Sequence, residues 1–181
     1  MITIRDHAPG SATELDAITA IYSHHVRHGR ASFETQPPSA DEMCTRLLSL
    51  VDAGYPVLVA ILDELVVGYA YAGPHKARAA YRRTVEDSIY VAPDMARRGV
   101  GRALLATLLE QVQAAGFHQV VMAVIGDSAN AASIELHRAL GFRHIGTARE
   151  IGFKFGEYID VVYMQLALQA YSPPDRTDDS V

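Results

Sequence analysis

The sequence is poor in cysteine, in basic residues and in long apolar runs, and each shortage excludes a class of protein. The single cysteine, Cys44, cannot form an internal disulfide bond. The formal net charge is −5, with no basic face, which argues against nucleic acid as the main partner. The longest apolar runs, 56–62 and 65–72, are far shorter than the roughly 18 residues that a membrane span requires. We therefore expect a small molecule as the partner.

Size and composition predict one folded domain. The chain has 181 residues, of which 49% are hydrophobic, and this is enough apolar material for a sizeable core. We assign residues 1–170 to the domain and expect 171–181, with Pro173-Pro174 and three aspartates, to be a flexible tail. The first residues show no basic stretch followed by an apolar run, so no secretion signal is expected and a reducing cytoplasm is the default location.

The hydrophobic pattern predicts an α/β protein. The predicted order is strand, helix, helix, three strands, helix, strand, helix and two strands, which gives a mixed, mostly antiparallel sheet with helices on both faces. The first two helices begin with capping-box patterns, Ser11-x-x-Glu14 and Ser39-x-x-Glu42. Near the end of the first helix, His24 and a second histidine four residues later could share a metal. No carboxylate or cysteine completes a ligand set, however, so no metal is expected.

Several smaller features are also predicted from the pattern. Strands at 57–62 and 65–72 form a hairpin that ends at Gly73-Pro74, with Gly68 as a candidate bulge. The last strands, 142–147 and 159–168, are joined through Gly152 and Gly156. The helix before them has Asn130 or Ser128 as its cap, and part of its buried face consists of Ala132, Leu136 and Leu140.

The chain is organised around the stretch 84–115, which predicts a strand, a glycine turn and a helix. β-Branched and aromatic residues favour a strand that stops at Pro93, and a helical apolar repeat then runs to Gly116, a typical C′ residue. The turn directs the free N–H groups of a helix start past the end of a strand. Such an end binds anions, because its first amides lack acceptors and the helix dipole is positive there.

The glycines of this turn are not specific by themselves. At a glycine frequency of roughly 7%, one G-x-G is expected by chance in a chain of this length. The dinucleotide pattern G-x-G-x-x-G fails, because Leu104 stands at the third glycine, and no phosphate-binding G-x-x-x-x-G-K-[ST] loop exists. A dinucleotide site or a P-loop is therefore disfavoured.

The same turn is similar to the R/Q-x-x-G-x-G/A turn of the GNAT acetyltransferases. It departs from that pattern at its first position, which here is Ala96; this removes one side-chain contact and leaves the amides. Its flanks resemble the phosphinothricin N-acetyltransferase branch and its methionine sulfoximine-acetylating relatives, at 32–37, 69–81, 84–86, 136–142 and 152–156. The likeness covers roughly residues 2–168 and implies the GNAT fold.

The resemblance implies acetyl-CoA as co-substrate and locates its contacts. Main-chain groups of Ile89, Tyr90 and Val91 would meet the pantetheine and the carbonyl. Asn130 and Ser133 match an N-x-x-S pattern that meets the pantetheine arm, although Asn130 could equally be a helix cap. The pyrophosphate would be bound by Arg97, Arg98, Gly99, Val100, Gly101 and Arg102.

Two side chains are implied as the acid and base of acetyl transfer, which needs a neutral amine and a proton for the leaving thiolate. Glu86 matches the family's base, which acts directly or through water; a strand-end carboxylate that is solvated or paired with Arg82 or Arg83 is the structural alternative. Period-2 alternation puts Glu86 on the strand face opposite Asp87. His137 stands where most of the superfamily has a tyrosine that protonates the thiolate. Imidazole can donate or accept, so its role stays open.

The acceptor site is implied by a loop before the central strand. Lys76, Arg78 and Tyr81 match residues that bind an anionic amino acid, and Phe33 matches an aromatic wall; a solvated charge cluster is the alternative. His75 replaces the tryptophan of phosphinothricin enzymes, which leaves the substrate open.

The resemblance implies an acetyl-CoA-dependent N-acetyltransferase that acts on the amino group of a small amino acid analogue of the phosphinothricin or methionine sulfoximine type, by direct transfer in a ternary complex. Another small amine as acceptor is an alternative, as is a non-catalytic acyl-CoA sensor. Family members are often homodimers, which we adopt as an expectation.

Overall fold

The structure is a computed structural model that describes residues 1–117, 119–126 and 130–168. Within these ranges the elements follow the predicted order. The helices are α1 (Ala12–His28), α2 (Ala40–Asp52), α3 (Val100–Ala114) and α4 (Ala131–Ala139). The strands are β1 (Thr3–Asp6), β2 (Val57–Leu62), β3 (Leu65–Pro74), β4 (Thr84–Val91), β5 (Gln119–Gly126), β6 (Arg143–Lys154) and β7 (Glu157–Ala167).

The strands form one seven-stranded sheet in the order β1-β2-β3-β4-β5-β7-β6. Neighbouring strands are antiparallel except for β4 and β5, which are parallel because α3 connects them as a crossover. The predicted fold class, a mixed and mostly antiparallel sheet with helices on both faces, is confirmed.

Each face of the sheet has its own apolar core. On one face, α3 buries a stripe against β2, β3 and β4, namely Val100, Leu104, Leu105, Leu108 and Val112. On the other face, α1 and α2 pack through Ile18, Tyr22 and Leu47 against Val59 and Tyr69. Of the helices in the described ranges, none combines the length and apolar character needed to cross a membrane.

The helix starts confirm the predicted caps. Ser11 Oγ accepts a hydrogen bond from the Glu14 N–H at 3.4 Å, and Ser39 Oγ accepts one from the Glu42 N–H at 3.1 Å. The glutamates use their side chains elsewhere: Glu14 contacts the first strand and the loop after it, and Glu42 pairs with Arg46. Each predicted capping box is therefore formed through its serine.

The hairpin of β2 and β3 has a register shift between Ala60 and Ile61, which pair with Gly68 and Val66. The predicted bulge is confirmed, with Val67 as the extra residue beside Gly68. A Cβ at Gly68 would lie 3.0 Å from the Tyr90 carbonyl oxygen and close to α3, so glycine permits this close packing. The hairpin ends at Gly73-Pro74 as predicted, and β3 includes these two residues beyond the predicted strand 65–72.

Two predictions near the C-terminal half are corrected. Gly152 does not join the last strands but lies within β6, and the turn is made by Phe155 and Gly156, both with positive φ. On α4, Ala132 is exposed, and the buried residue is His137. Asn130 occupies the N-cap position of α4 without a capping hydrogen bond from its side chain. The predicted tail, 171–181, and Ser128 lie outside the described residues.

Candidate active site

Strands β4 and β5 diverge soon after they begin. Their register pairs are Thr84 with Gln119 and Val85 with Val120, and beyond these the parallel pairing stops. Within the described residues, β4 from Glu86 to Val91 is paired on one edge, with β3. The sheet is therefore forked at its centre, and the unpaired edge of β4 offers backbone groups to a bound molecule.

The fork opens toward the positive end of α3. Gly99 is the N-cap residue of this 15-residue helix, with φ +85°, and it supplies no side-chain cap. Arg97, also at positive φ, and Arg102 line the same opening. Free amides, the helix dipole and two guanidinium groups together favour an anion.

A cavity of about 550 Å³ fills the fork. Most of the predicted cofactor residues line it, namely Ile89, Tyr90, Val91, Arg97, Gly99, Gly101, Arg102, Asn130 and Ser133. Two predicted residues do not: Arg98 is exposed and contacts Met95, and the Val100 side chain is buried in the core. Residues that the sequence analysis did not assign to this cavity include His25, Arg30, Asp87, Ser88 and Leu136.

The cavity passes through the sheet, because its walls come from both faces. His25 reaches it from α1, and its Nε2 donates a hydrogen bond to the Val91 carbonyl oxygen at 2.9 Å. Burial lowers the pKa of His25, against the opposing effect of that hydrogen bond. His137 reaches the cavity from α4 on the opposite face. A molecule in the fork is thus accessible to groups on either side of the sheet.

His137 forms a buried pair with Asp87. The His137 Nε2 lies 3.0 Å from Asp87 Oδ2, and Nδ1 lies 2.7 Å from the Ser133 carbonyl oxygen. Both side chains are 3% exposed. The ring of Phe142 contacts the imidazole edge to face, with centroids 5.0 Å apart. His137 is therefore fixed in orientation at the wall of the cavity.

Glu86 lies on the other face of β4, as alternation predicts, and its partner is a histidine. The His75 Nδ1 lies 2.9 Å from Glu86 Oε2, so the predicted alternative of a pair with Arg82 or Arg83 is not what the structure contains. The Glu86 side chain remains 38% exposed. The carboxylate is therefore accessible from solvent while one of its oxygens is held by His75.

The predicted acceptor loop surrounds this contact. The ring of Tyr81 packs against His75, with centroids 5.7 Å apart, and Lys76 Nζ lies 5.2 Å from the centre of the Tyr81 ring. Arg78 is exposed at the start of the short 3₁₀ turn Ala79–Tyr81. Three of the four predicted acceptor residues thus lie on one loop beside Glu86.

Phe33, the fourth predicted acceptor residue, packs elsewhere. Its ring lies over Gly152 in β6, where a Cβ would come within 2.1 Å of the ring, so any side chain at that position would displace Phe33. The loop that contains Phe33 is also tied to β6 by Lys154, whose Nζ donates to the carbonyl oxygens of Gly29 and Ser32 at 2.9 and 2.7 Å. Burial lowers the pKa of Lys154. Phe33 therefore belongs to a wall built by two segments distant in sequence.

A second cavity, of about 490 Å³, lies between α2 and β3 on the Glu86 face of the sheet. Tyr22, Tyr69 and Tyr71 line it together with Arg46. Burial raises the pKa of Tyr22 to about 12, so the phenol is neutral at physiological pH. In the β3–β4 register Tyr71 pairs with Ser88, one step along the strand from Glu86 on the same face. This apolar space is therefore adjacent to the carboxylate.

The centroids of the His24 and His28 rings lie 4.9 Å apart, with the ring planes tilted by 45°. In the part of the chain that the structure describes, no set of three or more histidine, cysteine or acidic residues is arranged as a metal site.

Comparison with known proteins gives consistent matches. The acetyltransferase (GNAT) domain family matches residues 11–163. A phosphinothricin N-acetyltransferase of Alcaligenes faecalis is 51% identical over 157 residues, which cover 87% of this chain and 79% of that protein. An L-methionine sulfoximine/L-methionine sulfone acetyltransferase of Salmonella typhimurium is 38% identical, over 88% of this chain and 92% of that protein.

A solved structure is similar over almost the whole chain. It is a phosphinothricin acetyltransferase of the GNAT superfamily from Sinorhizobium meliloti in complex with acetyl-CoA. The TM-score is 0.87 at 38% identity, covering 98% of this chain and 97% of that one.

Proposed function

Because the chain belongs to the GNAT acetyltransferase family, we propose that it transfers the acetyl group of acetyl-CoA to the amino group of a small amino acid analogue of the phosphinothricin or methionine sulfoximine type. The transfer is direct, in a ternary complex. The observation that carries this proposal is the fork between β4 and β5, which ends at the positive terminus of α3.

The residues of the fork suit acetyl-CoA. Its pyrophosphate is an anion for the α3 amides, Arg97 and Arg102, and its pantetheine arm is an extended chain of amides for the unpaired edge of β4. Asn130 and Ser133, on the opposite wall, supply polar groups for the same arm. No metal is required for this chemistry.

Two proton-transfer groups approach from opposite faces of the sheet. Glu86, exposed beside the acceptor loop, takes the proton of the attacking amine, directly or through water. His137, on the other wall, is the second group, and its imidazole can donate or accept a proton. The acetyl carbon therefore reacts within the fork, where both groups have access.

The acceptor loop favours an acidic amino acid over a polyamine. The planar guanidinium group of Arg78 can bind a carboxylate in bidentate fashion, and Lys76 supplies a point charge for a second anionic or dipolar group. Polyamines would instead need an acidic mouth. The apolar cavity beside Tyr71 provides space for an aliphatic arm.

The proposal is tested by measuring free thiol release from acetyl-CoA in the presence of amino acid analogues, polyamines and aminoglycosides. We expect turnover with phosphinothricin, methionine sulfoximine or methionine sulfone, and a kcat for Glu86→Gln about 10² to 10⁴ lower, the range for a lost general base. Turnover only with amines that lack a carboxylate would replace the amino acid by another acceptor. Binding of acetyl-CoA with no turnover for any amine would indicate a sensor.

The acceptor assignment makes a sharper prediction for Arg78→Lys. This change keeps the charge and removes the planar guanidinium group. The KM for the amino acid should therefore rise by a factor equivalent to roughly 1.5 to 3 kcal/mol, with acetyl-CoA affinity unchanged. Steady-state kinetics with an amino acid and with its decarboxylated analogue measure it. Equal turnover of the two compounds by the wild type would remove the carboxylate contact from the proposal.

We also infer that the protein is a cytoplasmic homodimer. The β6–β7 hairpin exposes several large apolar side chains, and a second copy of the chain would cover them. They are Ile145, Ile151, Phe153, Phe155 and Tyr158.

A further inference from the structure

The buried pair of Asp87 and His137 has a defined proton count. The Ser133 carbonyl oxygen can only accept, so Nδ1 of His137 carries a hydrogen. Nε2 then lies 3.0 Å from a carboxylate oxygen. Two bare acceptors at this distance repel each other, so one further proton must lie between them, on the imidazole or on the carboxyl group. The pair therefore stores one proton beyond a neutral histidine and an ionised aspartate.

The surroundings confine this proton. Asp87 Oδ1 is buried and has no hydrogen-bond partner among the described residues, so water does not solvate a full negative charge there. Phe142 closes one side of the imidazole. Besides the pair, the charged and titratable groups that share the cavity are His25 and Arg30 from the α1 side, Tyr90 on β4, and Arg97 and Arg102 around the start of α3. The arginines disfavour an additional positive charge but not a neutral pair.

We propose that Asp87 is a positioning residue for acetyl transfer: it holds the second proton on its pair with His137, which makes His137 the acid of the reaction and not a base. This rests on the proposed function. The amine nitrogen forms a bond to the acetyl carbon, the carbon–sulfur bond breaks, and Glu86 takes one amine proton. The proton shared by His137 Nε2 and Asp87 Oδ2 passes to the sulfur from the wall of the cavity, which both residues line, and CoA leaves as the thiol. Glu86 then releases its proton to water, and the pair regains one from water.

The test uses Asp87→Asn, since an asparagine amide can donate to Nε2 and so retain the geometry without the proton. Histidine-labelled ¹⁵N NMR of the ligand-free protein at pH 7 should show a protonated or proton-sharing Nε2 of His137 in the wild type and a bare Nε2 in the variant. We expect kcat to fall about 10- to 100-fold, with CoA affinity by calorimetry unchanged within about twofold. Asp94→Asn, an exposed carboxylate beyond β4, is the matched control.

Each outcome decides the proposal. A bare Nε2 in the wild type at pH 7 overturns the proton count. A protonated Nε2 with an unchanged kcat in Asp87→Asn overturns the catalytic role. A lower kcat in Asp87→Asn supports the acid role if the alkaline limb of the kcat–pH profile also moves to lower pH. A structural defect would instead lower kcat by the same factor at every pH. The NMR result is independent of any amine, so failure of the proposed function is distinguishable from failure of this pair.

Discussion

At the scale of single residues, the contact between His75 and Glu86 holds the predicted base in place. His75 contacts one carboxylate oxygen, and the Glu86 side chain stays 38% exposed. His75→Ala should lower kcat by about tenfold, equivalent to one hydrogen bond of about 1.4 kcal/mol, with acetyl-CoA affinity unchanged. Steady-state kinetics with both substrates varied measure this effect.

Arg82→Ala provides the control for that prediction. Arg82 is the nearby cation that the sequence offers as a partner for Glu86, but its guanidinium contacts the Ala79 carbonyl oxygen instead. Its removal should leave kcat unchanged. A larger effect for Arg82→Ala than for His75→Ala would contradict the assigned partner.

Sequence reasoning predicted Glu86 and His137 as site residues through their motifs, but it did not predict the residues that contact them. His75 and Glu86 are brought together because β3 and β4 pair in a register that no local pattern specifies. Asp87 is 50 positions from His137 and meets it only after α4 packs over the fork. Charged residues on a strand are usually solvated, so nothing in the sequence distinguishes Asp87 from its neighbours.

At the scale of elements, the turn before α3 depends on backbone conformation more than on side chains. Gly99 has φ +85° and open space around its Cα, so Gly99→Ala adds no clash, only about 1 kcal/mol of backbone strain. If the backbone at residue 99 rotated to relieve that strain, the first N–H groups of α3 would point in a different direction. We expect CoA affinity, measured by calorimetry, to fall at least tenfold.

Gly10→Ala is the matched control for Gly99→Ala. Gly10 has φ +91° and equally open space, but lies in the loop between β1 and α1. Gly10→Ala should lower the free energy of unfolding by a similar amount and leave CoA affinity unchanged. Equal losses of affinity in both variants would show that the effect is global.

The start of α1 makes stability dependent on pH through Glu14. Burial alone would raise the pKa of Glu14, but hydrogen bonds from Arg5, the Ala8 N–H and His7 outweigh it, and the pKa is lowered. A carboxyl group with a lowered folded-state pKa stabilises above its unfolded value, about 4.3, and loses that contribution as the pH falls through the folded value. Glu14→Gln should therefore cost about 2 kcal/mol at pH 7.

Urea denaturation across the acid range tests this dependence. The difference in unfolding free energy between wild type and Glu14→Gln should narrow as the pH falls below about 4. A constant difference from pH 7 to pH 3 would mean that the charge of Glu14 is not the cause.

The elements themselves were largely predictable, because caps, glycine stops and apolar periods are local signals. Ser11 and Ser39 cap their helices as expected. The extension of β6 past Gly152 was not predictable, because a glycine often marks the end of a strand. The ring of Phe33, more than a hundred positions away, occupies the space that a side chain at Gly152 would need, and this contact exists only in the folded chain.

At the scale of the whole molecule, the exposed hairpin of β6 and β7 predicts association. Phe153 and Tyr158 are register partners, 62% and 69% exposed, with rings 5.2 Å apart. The double variant Phe153→Glu with Tyr158→Glu should convert a dimer to a monomer, as measured by light scattering after gel filtration. Leu65→Glu, which is as exposed but lies in the β2–β3 hairpin, should leave the dimer intact. A monomeric wild type would contradict the proposed dimer.

The fork between β4 and β5 affects how easily the sheet opens locally. Among the described residues, two register pairs connect β4 to β5, so the backbone pairing between β1–β4 and β5–β7 is short. A molecule bound along the unpaired edge of β4 would act as a missing strand and shield amides there from hydrogen exchange. At 100 times its dissociation constant it would add about 2.7 kcal/mol to the unfolding free energy. The co-substrate would then be both a reactant and a removable part of the sheet.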